Sequence, residues 1–344
     1  MTVKLYCDGD GERWDSYVLR SSGSNCYHLA GWKGIIERSF GQRTHYLFSE
    51  TNTGEVNGIL PLVHLKSAFF GNFLVSMPYF NYGGICADNH GAEEALLEGA
   101  IGVAKRCKAD HIELRHTRNY TNGLPVKTAK VSMRLSLPNT QEELWRSFPS
   151  KLRSQVQRPI KAGMFARLGR EEELDSFYSV FSVNMRDLGT PVYSKMFFQN
   201  ILKEFTKTSW VLTVYTKEGD PVASGFLVGF KNALEIPWAS SLRSHNRYSP
   251  NMFLYWNALQ LGCEQNYGTF DFGRSTPGEG TYRFKEQWGA NPVQLYWHYW
   301  LSKGGPIPEL NPHNPKFKIA LYVWQRLPLS VTNLIGPSIV KNLP

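Results

Sequence analysis

Apolar and polar positions alternate along this chain in blocks whose period switches between two and three-to-four. Residues 58–65, GILPLVHL, and 72–77, NFLVSM, are apolar runs of strand length. A helix is predicted over 91–107, because Ala92, Ala95, Leu96, Gly99, Ala100, Val103, Ala104 and Cys107 keep the spacing of one buried face. A short strand, HIELR, follows at 111–115. The second half repeats the order. Strands are predicted at 210–216, 221–230 and 233–240, with Gly219-Asp220 and Lys231-Asn232 in the turns between them. A helix then starts at Ser249 or Pro250, proline being suited to a first helical turn. Its sequence, NMFLYWNALQLGCEQ, is apolar nearly all round, so it is expected to be deeply buried. A last strand, TFDFGR, covers 269–274.

Each half closes on an acid, an apolar residue and then an arginine near a strand end: Glu113-Leu114-Arg115 in the first, Asp271-Phe272-Gly273-Arg274 in the second. A repeat of this length predicts two copies of one α/β module. Between the halves, 171–189 and 192–205 are predicted helices joined at Gly189-Thr190-Pro191. The expected division is a first module at 1–165, a second at 166–302, and a tail at 303–344. The tail holds seven of the 19 prolines. It begins as an irregular linker and continues as broken amphipathic helix, which either packs on the domain or lies on a membrane surface.

Composition sharpens this picture. In 344 residues, 42% hydrophobic content supplies a full core and excludes a disordered chain. The net charge of +9 points to an anionic partner. Much of it is concentrated, since Arg146 to Arg170 carries seven basic residues and no acid. The five cysteines are scattered without a CxxC pair, which suggests neither a disulfide framework nor a zinc knuckle. The N-terminal stretch has no apolar secretory core, and no apolar run reaches the length of a membrane span. The expected location is the cytoplasm, at the inner face of the cytoplasmic membrane if the tail touches it.

PYFNYGGICAD, VNMRDLGTPVYSKMFF and the block DFGRSTPGEGTYRFKEQWGA together resemble the FemAB-like N-acyltransferases, closest to the subgroup associated with exosortase and PEP-CTERM exopolysaccharide systems. The resemblance runs over nearly the whole chain. It implies two tandem GNAT-like modules of α/β class, each a mixed central sheet flanked by helices, and transfer of an acyl or aminoacyl group to an amine. Relatives take an aminoacyl group from tRNA to a peptidoglycan precursor, while others use thioesters. The implied donor is therefore a co-substrate (acyl-CoA, acyl carrier protein or aminoacyl-tRNA), with no permanent cofactor and no metal. The implied acceptor is an amine-bearing glycan or peptide precursor. The chain departs from ordinary coenzyme A binders at SSLRSHNRYSPNMF, where no glycine pair lets backbone amides approach a pyrophosphate.

Acyl transfer to an amine needs a cation or donor at the oxyanion and an acceptor for the amine proton. Lys285 is the candidate cation, with Phe284 offering a ring face beside it. The family's Phe-Lys pair at this motif is implicated in transfer from the tRNA end. Asp271 is the candidate proton acceptor and Arg274 a bidentate holder of phosphate or carboxylate; the competing reading makes them an internal pair shaping the loop. Tyr282 faces either substrate or core. In the basic segment, a helix places Lys151, Arg158 and Lys161 on one face, suited to phosphates of a nucleotide, lipid carrier or tRNA. The family pattern implies that the region of Arg186 and Tyr193 lines the acceptor groove. A degenerate, non-catalytic ligand-binding module is the alternative of a different class.

Overall fold

A computed structural model of the protein describes residues 2–119, 123–308 and 315–343. In chain order, the elements begin with β1 (Thr2–Leu5), α1 (Gly11–Arg20), α2 (Gly31–Phe40), β2 (Arg43–Glu50), β3 (Val56–Ser67), β4 (Gly71–Val75), β5 (Cys86–Ala87), α3 (His90–Cys107), β6 (His111–His116) and β7 (Val126–Lys127). They continue with β8 (Val131–Ser136), α4 (Gln141–Ser147), α5 (Ser150–Lys161), β9 (Phe165–Gly169), α6 (Leu174–Leu188), α7 (Lys195–Glu204), β10 (Ser209–Tyr215), β11 (Pro221–Phe230) and β12 (Ala233–Ser241). The chain closes with α8 (Pro250–Glu264), β13 (Thr269–Ser275), α9 (Gly280–Glu286), β14 (Asn291–Gln294), β15 (Tyr296–Leu301), α10 (Pro315–Trp324) and α11 (Leu329–Val340).

Two compact units result: residues 1–131, 293–310 and 341–344 form the first, and 132–292 with 311–340 form the second. The expected boundaries therefore need correction. The basic segment 146–165 belongs to the second unit, and the expected second module gives up its end to the first. The reason is strand pairing. YWHYWL at 296–301 becomes β15, which pairs antiparallel with β6 from Tyr296↔His116 to Leu301↔His111. Its Tyr299 hydroxyl donates to buried Glu113 at 2.8 Å. Of the linker expected after 303, residues 309–314 lie outside the described ones.

The first unit's sheet has the order β1-β2-β3-β4-β6-β15-β7, with β5 paired to β3. Helix α3 packs Leu96, Ala100, Val103 and Ala104 against Leu60, Leu62, Leu74 and Ile112 of that sheet. These are the helical positions whose spacing predicted a buried face. The second sheet runs β14-β8-β13-β12-β11-β10-β9. Each unit contains the same sequence of connections. Antiparallel strands lead to a parallel pair joined by one helix: β4–α3–β6, pairing Phe73↔His111, and β12–α8–β13, pairing Ala233↔Thr269. The repeat read from sequence is therefore a repeat of fold: two GNAT-like α/β modules with mixed sheets.

The repeated acid–apolar–arginine ending is not a repeat of chemistry. In the first unit, Arg115 Nε meets Glu113 Oε1 at 2.7 Å, and the guanidinium also donates to the Phe80 carbonyl at 2.5 Å. It lies over the Trp297 ring at 4.4 Å. Both partners are buried, so this strand end is a closed internal pair.

Candidate active site

The second unit's counterpart is open. Strands β12 and β13 pair in parallel only at Ala233↔Thr269, Leu234↔Phe270 and Glu235↔Asp271. Beyond that β12 continues to Ser241, still paired with β11. Gly273 has φ +77, a conformation that L side chains adopt at a cost, and there the strand turns away from the parallel ladder. Parting strands leave carbonyls without a ladder partner, and such groups are costly unless something bonds them. Lys285 does. Its ammonium donates to the Gly273 and Arg274 carbonyls, each at 2.9 Å.

That contact is made by α9, a two-turn helix after the glycine-bearing loop 276–279. Lys285 is 7% exposed, an unusual setting for a lysine. Burial, the largest effect, pushes its pKa down to about 8. The Asp271 and Glu235 carboxylates oppose that, and Arg274 adds to it. An ammonium has three donors, and two are held by backbone, so one remains for a ligand. Phe284 is not the plane behind this cation. Successive helical residues point about 100° apart, and Phe284 instead packs on Tyr255 with ring centroids 5.1 Å apart.

Lys285 lines a cleft of about 270 Å³ whose other polar and aromatic walls include Asn184, Ser240, Asn251, Tyr255 and Phe284. Asn184 comes from α6 and donates to Ser240 Oγ of β12 at 3.0 Å. Asn251 and Tyr255, one helical turn apart, share a face of α8. Burial raises the Tyr255 phenol above its ordinary range, so it is protonated at neutral pH. Its hydroxyl has no hydrogen-bond partner among the described residues. The buried Ser275 hydroxyl at the end of β13 likewise has none among them.

Asp271 does not line this cleft. Its Oδ1 accepts from Ser132 Oγ at 2.6 Å and from the Gly273 amide at 2.7 Å, and its Oδ2 accepts from Arg134 Nε at 2.9 Å. Both oxygens are engaged by fixed donors away from the cleft, an arrangement that holds β13 in place rather than the base role expected for it. Asp271 forms an ion pair with Arg134 on β8. Arg274 has its side chain exposed and its carbonyl bound by Lys285. Tyr282 is half-buried on α9.

Arg186 turns onto its neighbour Asp187, with Nε and Nη2 at 3.0 and 2.8 Å from one oxygen. Tyr193 packs in an aromatic cluster, 5.3 Å from the Phe197 ring and 6.2 Å from Trp238. Neither lines the cleft. The basic face forms as expected. On α5, Leu152, Val156 and Pro159 are buried while Lys151, Arg158 and Lys161 are exposed. Helix α5 packs on α8, and Arg158 reaches the Arg247 carbonyl, in the loop before α8, at 3.5 Å.

Sequence reasoning passed over Tyr255, Ser240 and Glu235. Tyr255 was hidden inside a helix apolar on every side. The available signal was a polar Asn251 one turn before a phenol in that setting. Glu235 is a carboxylate buried in mid-strand, 3% exposed and in register with Asp271. An acid within an apolar strand is costly without a reason, and that cost was the signal.

Residues 146–286 match the profile of a family described as acetyltransferase (GNAT) domain. No curated protein matches the chain significantly. Among solved structures, FemX superimposes with a TM-score of 0.68 at 15% identity, covering 86% of this chain and 97% of its own. L-PGS from Bacillus licheniformis gives 0.57 at 15% identity, over 95% and 97%. A tandem GNAT protein from the clavulanic acid biosynthesis pathway gives 0.57 at 12% identity, over 89% and 99%. At these identities the likeness is one of fold.

Proposed function

From a chain that folds as a FemAB-like pair of GNAT modules and matches the acetyltransferase domain in the second of them, we propose an N-acyltransferase that works in the cleft walled by α6, the end of β12, α8 and α9. It moves an acyl or aminoacyl group from an activated ester or thioester to an amine. The acceptor is an amine on a cell-envelope or exopolysaccharide precursor. The observation that carries the reading is Lys285: a buried cation, fixed by two carbonyls, with a donor left over beside a cleft.

In this reading the amine nitrogen attacks the donor's carbonyl carbon and the carbonyl oxygen becomes an oxyanion. The Lys285 ammonium stabilises that charge from a position set before reaction, which is where such donors act most strongly. When the intermediate collapses, the carbon–oxygen or carbon–sulfur bond breaks. Tyr255 gives its proton to the leaving atom and recovers one from the new ammonium, so no proton is gained or lost overall. Asn184 and Ser240 orient the acceptor through their amide and hydroxyl.

The donor's anionic portion is placed along the basic face of α5 and the loop before α8. This loop has Ser249 at φ +58 before Pro250 in place of a glycine pair, which favours a carrier other than coenzyme A, such as aminoacyl-tRNA or acyl carrier protein. Loss of activity in extract on RNase treatment identifies tRNA; persistence identifies a thioester carrier.

The decisive test compares envelope polysaccharide and precursors, by mass spectrometry, from cells lacking the protein and cells re-expressing either wild type or Lys285→Met. An N-linked substituent should be missing in the first, restored by the second and absent with the variant. In vitro turnover of Lys285→Met should fall by ~10²–10³-fold. Restoration by the variant at the wild-type level removes the proposal.

A further inference from the structure

Helices α10 and α11 are seated on the second unit by small parts of their surfaces. On α10, Leu321 packs over Gly189, the left-handed residue at the end of α6, and Gln325, just past the helix, donates to the Asp187 carbonyl at 3.1 Å. On α11, Thr332, Gly336 and Val340 form the buried stripe, one helical turn apart. Gly336 has no side chain because a Cβ there would stand 3.0 Å from the Val192 amide nitrogen.

The remaining faces are apolar and uncovered. Ile319, Tyr322 and Val323 on α10 are 64%, 58% and 50% exposed. Val331, Leu334 and Ile335 on α11 are 37%, 78% and 38% exposed. Each set falls at i, i+3 and i+4, so each helix presents one contiguous apolar face to solvent. Isolated exposed aliphatics are ordinary, whereas two aligned triplets on consecutive helices make a surface with a purpose.

Charge says what covers it. After Glu309 the chain contains four basic residues, Lys316, Lys318, Arg326 and Lys341, and no acid. Arg326 sits over the Tyr322 ring, at the edge of the apolar face. Exposed apolar faces in a segment whose charged side chains are all basic are complementary to an anionic lipid surface: apolar side chains enter the acyl boundary and cations meet phosphates. No described helix is long and apolar enough to cross a membrane, and α10 and α11 have ten and twelve residues. They suit lying in the interface rather than passing through it.

We infer that α10 and α11 dock this protein on the surface of an anionic phospholipid bilayer. The dock and the cleft share a support, since α6, which carries Asn184 to the cleft, is also the helix on which α10 and α11 rest. Enzyme held this way meets acceptors in the membrane plane.

The test uses the full chain, flotation with vesicles and no turnover assay, so its outcome is separate from that of the catalytic reading. Vesicles of phosphatidylcholine containing phosphatidylglycerol should carry the protein upward, and phosphatidylcholine alone should carry far less. Val323→Asp with Leu334→Asp, both at exposed positions, should reduce partitioning by about tenfold or more with an unchanged melting temperature. Three results overturn the inference: no binding to anionic vesicles at low salt; binding that the double variant leaves intact; or concentration-dependent dimerisation in sedimentation that the double variant abolishes, which assigns the face to a second copy.

Discussion

At the scale of the single residue, the proposed chemistry turns on the protonation of Lys285. Its folded pKa, about 8, lies below the ordinary 10.5 because burial outweighs the two carboxylates nearby. A cationic role therefore requires turnover to fall as pH rises through about 8 in a kcat–pH profile; a rise through the same pH assigns Lys285 as a base instead. Stability moves the other way. Between about 8 and 10.5 the unfolded chain binds a proton that the folded chain does not, so folding becomes more favourable with rising pH across that window. Urea titrations of wild type and Lys285→Met at pH 7.5 and 10 should show this increment in wild type alone. Tyr255→Phe removes only a hydroxyl with no described partner, so its melting temperature should be nearly unchanged. Its kcat should drop by ~10²–10⁴-fold if the phenol is the proton donor.

At the scale of the element, the proposed site lies beside the point where two parallel strands stop pairing. Glu235 and Asp271 mark the last shared rung. Asp271 ties the parting strand to β8 through Ser132 and Arg134, and Gly273 turns the strand's carbonyls toward α9. Asp271→Asn weakens one charge-assisted bond and should lower unfolding free energy by about 1–3 kcal/mol in chemical denaturation. Its kcat per folded molecule should remain within about tenfold of wild type, whereas a catalytic base would cost ~10²–10⁴-fold. The same change thus separates a strand anchor from an acid–base group.

At the scale of the whole molecule, the proposed donor site is a matter of charge. The exposed face of α5 carries Lys151, Arg158 and Lys161, with further arginines at 243 and 247 before α8. Reversing the three α5 cations to glutamate should raise the donor's KM by about tenfold or more while kcat stays close to wild type, because phosphate contacts position without entering the bond-breaking step. The KM of the wild type should climb steeply with salt and that of the variant much less, as initial-rate measurements across a salt series will show.

The sequence by itself determined the modular plan. The apolar spacing of α3, the all-round apolar run of α8 and the strand runs at 58–65, 221–230 and 233–240 are local, so they are readable in one dimension, and their shared order revealed the duplication. It also determined the basic face of α5, since helical spacing and the lack of acids are both readable in one dimension. Tertiary structure decided the rest. Partner choice for Asp271 depended on β8, 137 residues away from it at Arg134, and no local pattern encodes a partner at that distance. The allotment of β15 to the first unit was settled by ladder hydrogen bonds to β6. The burial of Lys285 followed from where β13 leaves its neighbour, a property of two strands and a helix together. A lysine's place in a sequence says that it can carry charge; only the fold fixed how much water surrounds it, and hence how readily it gives that charge up.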